Sequence, residues 1–476
     1  MTGDFLDDIR DIVGASRVVT DEAELAPRLV DERRRYQGSA RCLVRPGSTA
    51  EVAAVVAACA RRGVPVVAQG GNTGLCGGAT PQSADTVVVD IGRMRTVRKV
   101  DTADDTLTVE CGLSVAEVGD IAARHDRLFP LRFGADATAT LGGALATNAG
   151  GTNVLRYGMA RDLTRGVEVV LADGRVLDDL RGLRKDNTGY ALSELFVGSE
   201  GTLGIITAAT VALFPRPTAV VTAVAAVPDV AAAVALHTRL RAATDGRLSA
   251  FEWVSAVSSL LVAEELPDTR VPFAGSDAVL IEVDSRGPLQ SLTDLLMAVL
   301  AEAAEAGEIT DAVVAPDEAA RNEMWAAREA VPEAEKHAGG ALKHDVSVPV
   351  SAIAPFVARC GEALAATDAD VAISAFGHLG DGNLHVNLLS ATRTGPPSAR
   401  EGELTGVVFD VAADLGGSFS AEHGIGRLRV GELQRRGDAV AVDTMARIKA
   451  ALDPDGILNP GAVVADRRAW DPSGST

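Results

Sequence analysis

The stretch VVAQGGNTGLCGGATPQ, residues 66–82, decides how the chain is read. It begins as a β-branched apolar run, the mark of a short strand, and breaks at once into Gly70-Gly71-Asn72-Thr73-Gly74 and then Gly77-Gly78. Glycines placed directly after a strand reach φ > 0 and bring successive backbone N–H groups close to an anion, for which a pyrophosphate is a natural guest. One such loop alone reads as a tight turn. Two further segments in the same region change that: Gly142-Gly143 with Asn148, Gly150 and Gly151, and Gly198-Ser199-Glu200-Gly201-Thr202-Leu203-Gly204. Neither a G-x-G-x-x-G fingerprint nor a P-loop occurs, which disfavours a Rossmann NAD site and a P-loop ATPase. What remains is a loop-held pyrophosphate in an α+β fold of another type.

Outward from the first loop, ARCLVRP, TVVVDI and TLTVECG read as strands, Thr49–Arg62 and SVAEVGDIAARHD as helices, and residues 1–36 as short helices. Pro215 and Pro217 mark a boundary. Beyond it, strands (AVVTAVAAV, AVLIEVD) alternate with helices (DVAAAVALHTRLRAA, LQSLTDLLMAVLAEAAEAG), which predicts a second sheet, and the chain from about residue 400 is mostly helical, with a frayed tail after Ala465. The 476 residues are enough for two or three domains with real cores. The formal charge of −20 would repel nucleic acid and anionic lipid, so an anionic ligand needs a local cluster of positive groups. Five scattered cysteines without C-x-x-C, an acidic N-terminus and no long apolar run predict reduced thiols, no signal peptide, no membrane span and a cytoplasmic protein.

The segment VAISAFGHLGDGNLHVNLL, residues 371–389, places two apolar runs around Asp381-Gly382, a type I′ hairpin signal. With those two residues at the tip, His378 and His385 face each other across the strands and Asn387 shares their face. A histidine pair of this kind can chelate a divalent metal, although two polar residues beside a solvated turn would look the same. Downstream, GGSFSAEHGIGR (residues 416–427) sets Glu422 and His423 among small residues. A carboxylate completes a two-His-one-carboxylate set suited to Zn²⁺, Mn²⁺ or Fe²⁺, and His423, pointing elsewhere, is left as a base. The same set also fits a non-haem iron oxygenase. In WAAREAVPEAEKHAGGALKHDVSVP (residues 325–349), Arg328 falls on a helix and Lys343 on the next strand, sharing a face with Asp345 and Ser347. They form either an anion clamp or ordinary surface pairs, Arg328 then meeting Glu323, Glu329 or Glu333.

The three glycine motifs, VVAQGGNTGLCGGATPQ, LRFGADATATLGGALATNAGGTNVLRYG and LRKDNTGYALSELFVGSEGTLGIIT, resemble in order the FAD-binding domain of the vanillyl-alcohol-oxidase superfamily. GHLGDGNLHVN and SAEHGIG resemble the C-terminal motifs of its D-2-hydroxyacid dehydrogenases, above all the 2-hydroxyglutarate enzymes, and the likeness runs from about residue 35 to 462. It implies an α+β architecture: a PCMH-type FAD-binding domain over 35–217 preceded by helices in 1–34, a substrate (cap) domain with an antiparallel sheet over 218–400, and a helical segment over 401–465 returning to the FAD domain. It implies that Gly70, Gly71, Asn72, Thr73 and Gly74 hold the FAD pyrophosphate, that Gly142, Gly143, Asn148, Gly204 and Ile206 line the flavin and ribityl chain, and that Asn459 closes the cofactor site. Without a histidine in the first loop, FAD is expected to be non-covalent, and Cys76 is expected to be a buried structural thiol. The resemblance also implies His378, His385 and Glu422 as metal ligands, His423 as catalytic base, and Arg328, Lys343 and Asn387 as substrate contacts. Zinc is the first expectation for the metal, with Mn or Fe open. One departure stands out: Pro332 replaces a threonine of the 2-hydroxyglutarate enzymes, so D-lactate or glycolate remains an alternative substrate. The electron acceptor stays open among an electron-transfer flavoprotein, a quinone or cytochrome, and oxygen, and a homodimer is compatible with the resemblance.

Overall fold

The structure, a computed structural model, describes residues 5–465, so the tail after Ala465 lies outside the described residues. The chain divides into two units, one running to Gly151 and comprising also Gly158–Pro215 and the chain from Glu422, the other comprising Thr152–Tyr157 and Arg216–Ala421.

The first unit holds two main sheets. In a four-stranded sheet, Cys42–Val44, Val87–Asp90 and Val66–Gln69 run parallel, with the two-residue strand Val18–Val19 antiparallel at the edge. Both faces are covered, so Val87, Val88 and Val89 are all buried and the strands read as unbroken apolar runs. The helix Thr49–Ala60 starts where Ser48 accepts the Glu51 N–H, and the helix Val115–Ala123 starts on a reciprocal Ser114/Glu117 capping box. A five-stranded antiparallel sheet orders Val97–Asp101, Thr106–Glu110, Ile205–Ala212, Thr164–Val170 and Val176–Asp178. The N-terminal helices are shorter than expected: Phe5–Val13 and Glu22–Leu25 form, but the arginine-rich stretch after Leu29 turns irregular, with Arg34 at φ 53°. Those arginines offer no apolar stripe to bury.

In the second unit seven antiparallel strands lie in the order Asp311–Val314, Ala219–Ala226, Ala278–Ser285, Leu248–Val254, Val371–Gly377, Asn383–Ser390 and Asp345–Ser347. Alternation sorts the two faces. Val221, Phe251, Trp253, Ile281, Leu384, Val386 and Leu388 join one core with the helices Val230–Thr244, Leu289–Glu305, Ile353–Thr367 and Glu401–Asp414. The opposite face carries Glu252, Glu282, Ser374, His385 and Asn387 beneath Glu318–Glu329 and Val331–His337. The helix Glu401–Asp414 was expected to travel with the returning C-terminal segment, but it stays here because Leu404, Val408, Val411 and Ala412 bury their stripe in this core; the return begins at Glu422.

One core histidine has an energetic consequence. His237 is 2% exposed, lies tilted against the Phe251 ring, and its Nε2 meets no hydrogen-bond partner. Burial, with a smaller push from Arg241, lowers its pKa to about 4. An unfolded chain takes up the proton near pH 6.5 that the folded chain refuses, so stability contributed by the neutral ring is full above 6.5 and is lost as pH falls towards 4. His237→Leu should therefore flatten the acid limb of a denaturant-melt series, removing about 2–3 kcal/mol of the stability lost across that window. Parallel pH profiles for the two proteins would refute this.

Candidate active site

In the first unit, the strand Val66–Gln69 delivers the first glycine loop to a cavity of about 1150 Å³ lined by Gly70, Gly71, Asn72 and Thr140 together with Arg28, Arg34 and Arg95. The glycines are sterically required. A Cβ on Gly71 would lie 2.1 Å from the Thr138 carbonyl oxygen, and one on Gly70 would lie 2.0 Å from Thr140 Oγ1. Asn72 takes a left-handed φ of 56° and donates its amide to the Val30 carbonyl at 2.8 Å. Arg28 braces the loop from below, donating to Gln69, to the Gly70 carbonyl and to Asp90. Thr73 and Gly74 continue the loop.

The other expected cofactor residues divide by function. Gly142 and Gly204 are packing glycines, since a Cβ would lie 2.7 Å from Ile91 and 2.4 Å from Val169 respectively. Gly143 donates its N–H to Thr140 Oγ1 at the start of the helix Leu141–Ala146. Asn148, at φ 49°, accepts the Arg161 N–H, and Ile206 is buried in the strand Ile205–Ala212.

A junction of four loops sits behind this cradle, and its centre, Glu200, was not singled out from sequence. The Glu200 carboxylate accepts the N–H groups of Ile425 (2.8 Å) and Gly426 (2.9 Å), fixing the SAEHGIG segment. Asn459 donates to the carbonyls of Gly78 and Glu200 and accepts from Arg427, which ties down the NPG end. Cys76 is buried, and its carbonyl takes the N–H groups of Arg427 and Leu428. Burial pushes the Glu200 carboxyl up to about 7, against the pull of those two N–H groups and of Arg429 and Arg427. Glu422 and His423 lie half-buried in the irregular stretch just before this junction.

In the second unit, the 371–389 hairpin exists but turns differently from expectation. Phe376, not His378, pairs with His385, and the turn is a 3₁₀ segment Leu379–Asp381 with Gly382 left-handed at φ 88°. The two-residue tip fails because Gly377 and Gly382 both sit against backbone: a Cβ on either would lie within 2.5 Å of a carbonyl oxygen, of Asn383 or of Val348. The wider turn still brings the histidines together. Their ring centroids are 6.0 Å apart at an interplanar angle of 74°, with their nearest ligand nitrogens within 4.8 Å. His378 Nδ1 lies 2.6 Å from Glu252 Oε1. A carboxylate there accepts a proton from Nδ1, which leaves the lone pair on Nε2, the arrangement typical of metal-bound imidazole. The donor set therefore fits a divalent metal.

Arg328 forms none of the surface pairs with Glu323, Glu329 or Glu333. It lies half-buried over the Phe376 ring, and its Nε and Nη2 reach Glu252 Oε2 at 2.8 and 2.7 Å. Burial alone would raise the Glu252 carboxyl, but His378 and Arg328 together hold it at about 2. Lys343 lies just before the strand Asp345–Ser347, its Nζ 3.6 Å from Glu335. Glu335 is fully buried and accepts the Asn387 amide at 2.9 Å through both oxygens; burial raises its pKa against Lys343 and Asn387. Asn387 Oδ1 accepts the His344 N–H, so its amide is spent on orienting these neighbours. Asp345, paired in register with His385, is buried as well. Glu252 and Glu335 escaped sequence reading, although a lone acid among the alternating apolar residues of LSAFEWV was a visible signal.

Two family models cover the chain: an FAD-binding domain over residues 40–179 and the C-terminal domain of FAD-linked oxidases over residues 216–463. The chain belongs to the FAD-linked oxidases. The mitochondrial D-2-hydroxyglutarate dehydrogenase of Bos taurus is 38% identical over 93% of this chain and 80% of its own length. A putative mitochondrial D-lactate dehydrogenase of Schizosaccharomyces pombe is 33% identical over 93% of this chain and 85% of its own. These place this FAD-linked oxidase among the FAD-dependent D-2-hydroxyacid dehydrogenases. The fold is that of p-cresol methylhydroxylase, with a TM-score of 0.75 at 18% identity over 98% of this chain and 97% of the other. In this flavoprotein Gly71→Ala should overpack the loop by about 1–3 kcal/mol and weaken FAD retention roughly tenfold or more. Flavin absorbance per mole of purified protein checks it, and unchanged retention would remove Gly71 from the cradle.

Proposed function

We propose that the chain oxidises a D-2-hydroxyacid, with D-2-hydroxyglutarate as first candidate, to the 2-oxoacid, using non-covalent FAD and a divalent metal, zinc by ligand type, at His378, His385 and Glu422. The observation that carries this reading is the close histidine pair, His378 buried and already oriented by a carboxylate with an arginine beside it. Glu422 follows Ala421, whose N–H bonds to the carbonyl of Asp345, the register partner of His385. FAD supplies hydride acceptance, and the metal supplies polarisation of the substrate hydroxyl. Arg328 and Lys343 bind and orient substrate carboxylate groups. His423 accepts the hydroxyl proton as general base. The absence of any histidine in the first glycine loop supports non-covalent FAD. The FAD-binding domain argues against the iron-oxygenase alternative. Five buried, unbridged thiols support a reducing, cytoplasmic setting, and among the described residues no helix is long and apolar enough to cross a membrane.

Pro332 favours a second reading with a shorter acid, D-lactate or glycolate, because a proline offers no side-chain donor to a distal carboxylate. A turnover screen with an artificial electron acceptor separates the two by kcat/KM for D-2-hydroxyglutarate and D-lactate. Chelation should abolish activity and zinc should restore it, while His423→Ala should lower kcat by about 10²–10⁴-fold with FAD retained. Full activity after exhaustive chelation, or near-normal turnover of His423→Ala, would overturn the assignment.

A further inference from the structure

We propose that Glu252 is a positioning residue that couples the metal ligand His378 to the substrate-binding Arg328, an inference that rests on the reading above. Glu252 stands in the strand Leu248–Val254 on the polar face of the seven-stranded sheet and is 1% exposed. Its two oxygens are divided between two tasks. Oε1 takes His378 Nδ1 at 2.6 Å, and Oε2 takes Nε and Nη2 of Arg328 at 2.8 and 2.7 Å.

Each contact does work that the other cannot. A carboxylate only accepts, so the first one sets the tautomer of His378 and directs the Nε2 lone pair, raising its basicity as a ligand. The second binds one edge of the Arg328 guanidinium in a rigid fork and leaves the remaining Nη1 edge to carry a substrate carboxylate. Phe376 completes the cage: the guanidinium lies 5.0 Å from its centroid, and Phe376 is both the register partner of His385 and 5.0 Å from that ring. The group that orients the metal ligand is thus the group that orients the carboxylate clamp. Loss of Glu252 must disturb both at once, whereas loss of Arg328 leaves the His378 contact in place.

Zinc affinity of the apo-protein, measured by competition with a chromophoric chelator, reads the first task, and the KM for the hydroxyacid reads the second. Glu252→Gln should weaken zinc binding about 10–100-fold and raise KM. Arg328→Met should raise KM while zinc affinity stays within about threefold of wild type. Because Glu252→Gln leaves a buried guanidinium without its counter-charge, the double variant Glu252→Gln/Arg328→Met serves as the charge-neutral form, and its zinc affinity should fall as in the single Gln variant. Wild-type zinc affinity in both Gln variants would overturn the role of Glu252 while leaving the metal site standing. A wild-type protein that binds no zinc would overturn the metal reading and this coupling with it.

Discussion

A carboxylate removed from water must be given protons or positive charge, and that constraint organises each unit of this molecule. Moving an unpaired carboxylate into a protein interior costs several kcal/mol even after relaxation. Three such groups are met here by three different solutions. Glu252 is held by a guanidinium and an imidazole, Glu335 by an amide and a lysine, and Glu200 by two backbone N–H groups. The partners are the residues on which the chemistry is proposed to rest, or the loop that bears them. Stability and site geometry are therefore one problem, because no partner can relax without exposing a buried charge.

The second constraint is close approach. In the first unit the chain from residue 422 onward is threaded past the glycine loops, so that a Cβ on Gly426 would lie 2.2 Å from the Cys76 carbonyl oxygen and one on Gly424 would lie 2.7 Å from Glu200 Oε1. The glycine motifs thus serve two purposes. Gly70 and Gly71 line the cradle while pressing against Thr140 and the Thr138 backbone, Gly142, Gly204 and Gly424 make room for the side chains of Ile91, Val169 and Glu200, and Gly426 lets its backbone touch that of Cys76. Spacing alone cannot distinguish these, because both require a missing side chain.

Most strands and long helices of both units were legible, since they are long, periodic and bounded by turn residues. The 371–389 hairpin shows the limit. Its strands follow from alternation and its turn from Asp381-Gly382, yet the register is shifted, because the ladder ends at Phe376 opposite His385 and His378 lies outside it. Register is a property of tertiary packing against Val348 and Leu155, which local sequence does not encode. The buried acids were harder to read for a related reason, Glu335 more than Glu252, whose place in an alternating apolar run was a signal. A glutamate in PEAEKH looks like an ordinary surface acid until the helix face is assigned. Arg328 was legible as an anion binder from its type, but its pairing across 76 residues with Glu252 was not.

Charge counting in the second unit bears on the metal proposed for it. Arg328 and Lys343 are two cations set against three buried carboxylates, Glu252, Glu335 and Asp345. With neutral imidazoles the cluster is net negative, in a protein whose overall charge is already −20. An anionic acid approaching such a cluster meets repulsion, and Arg328 and Lys343 cannot reverse it because each is already matched by its own glutamate. A divalent cation on the histidine pair changes the sign of the cluster. Under the proposed function the arginine and lysine would then act as directional donors rather than as the source of attraction.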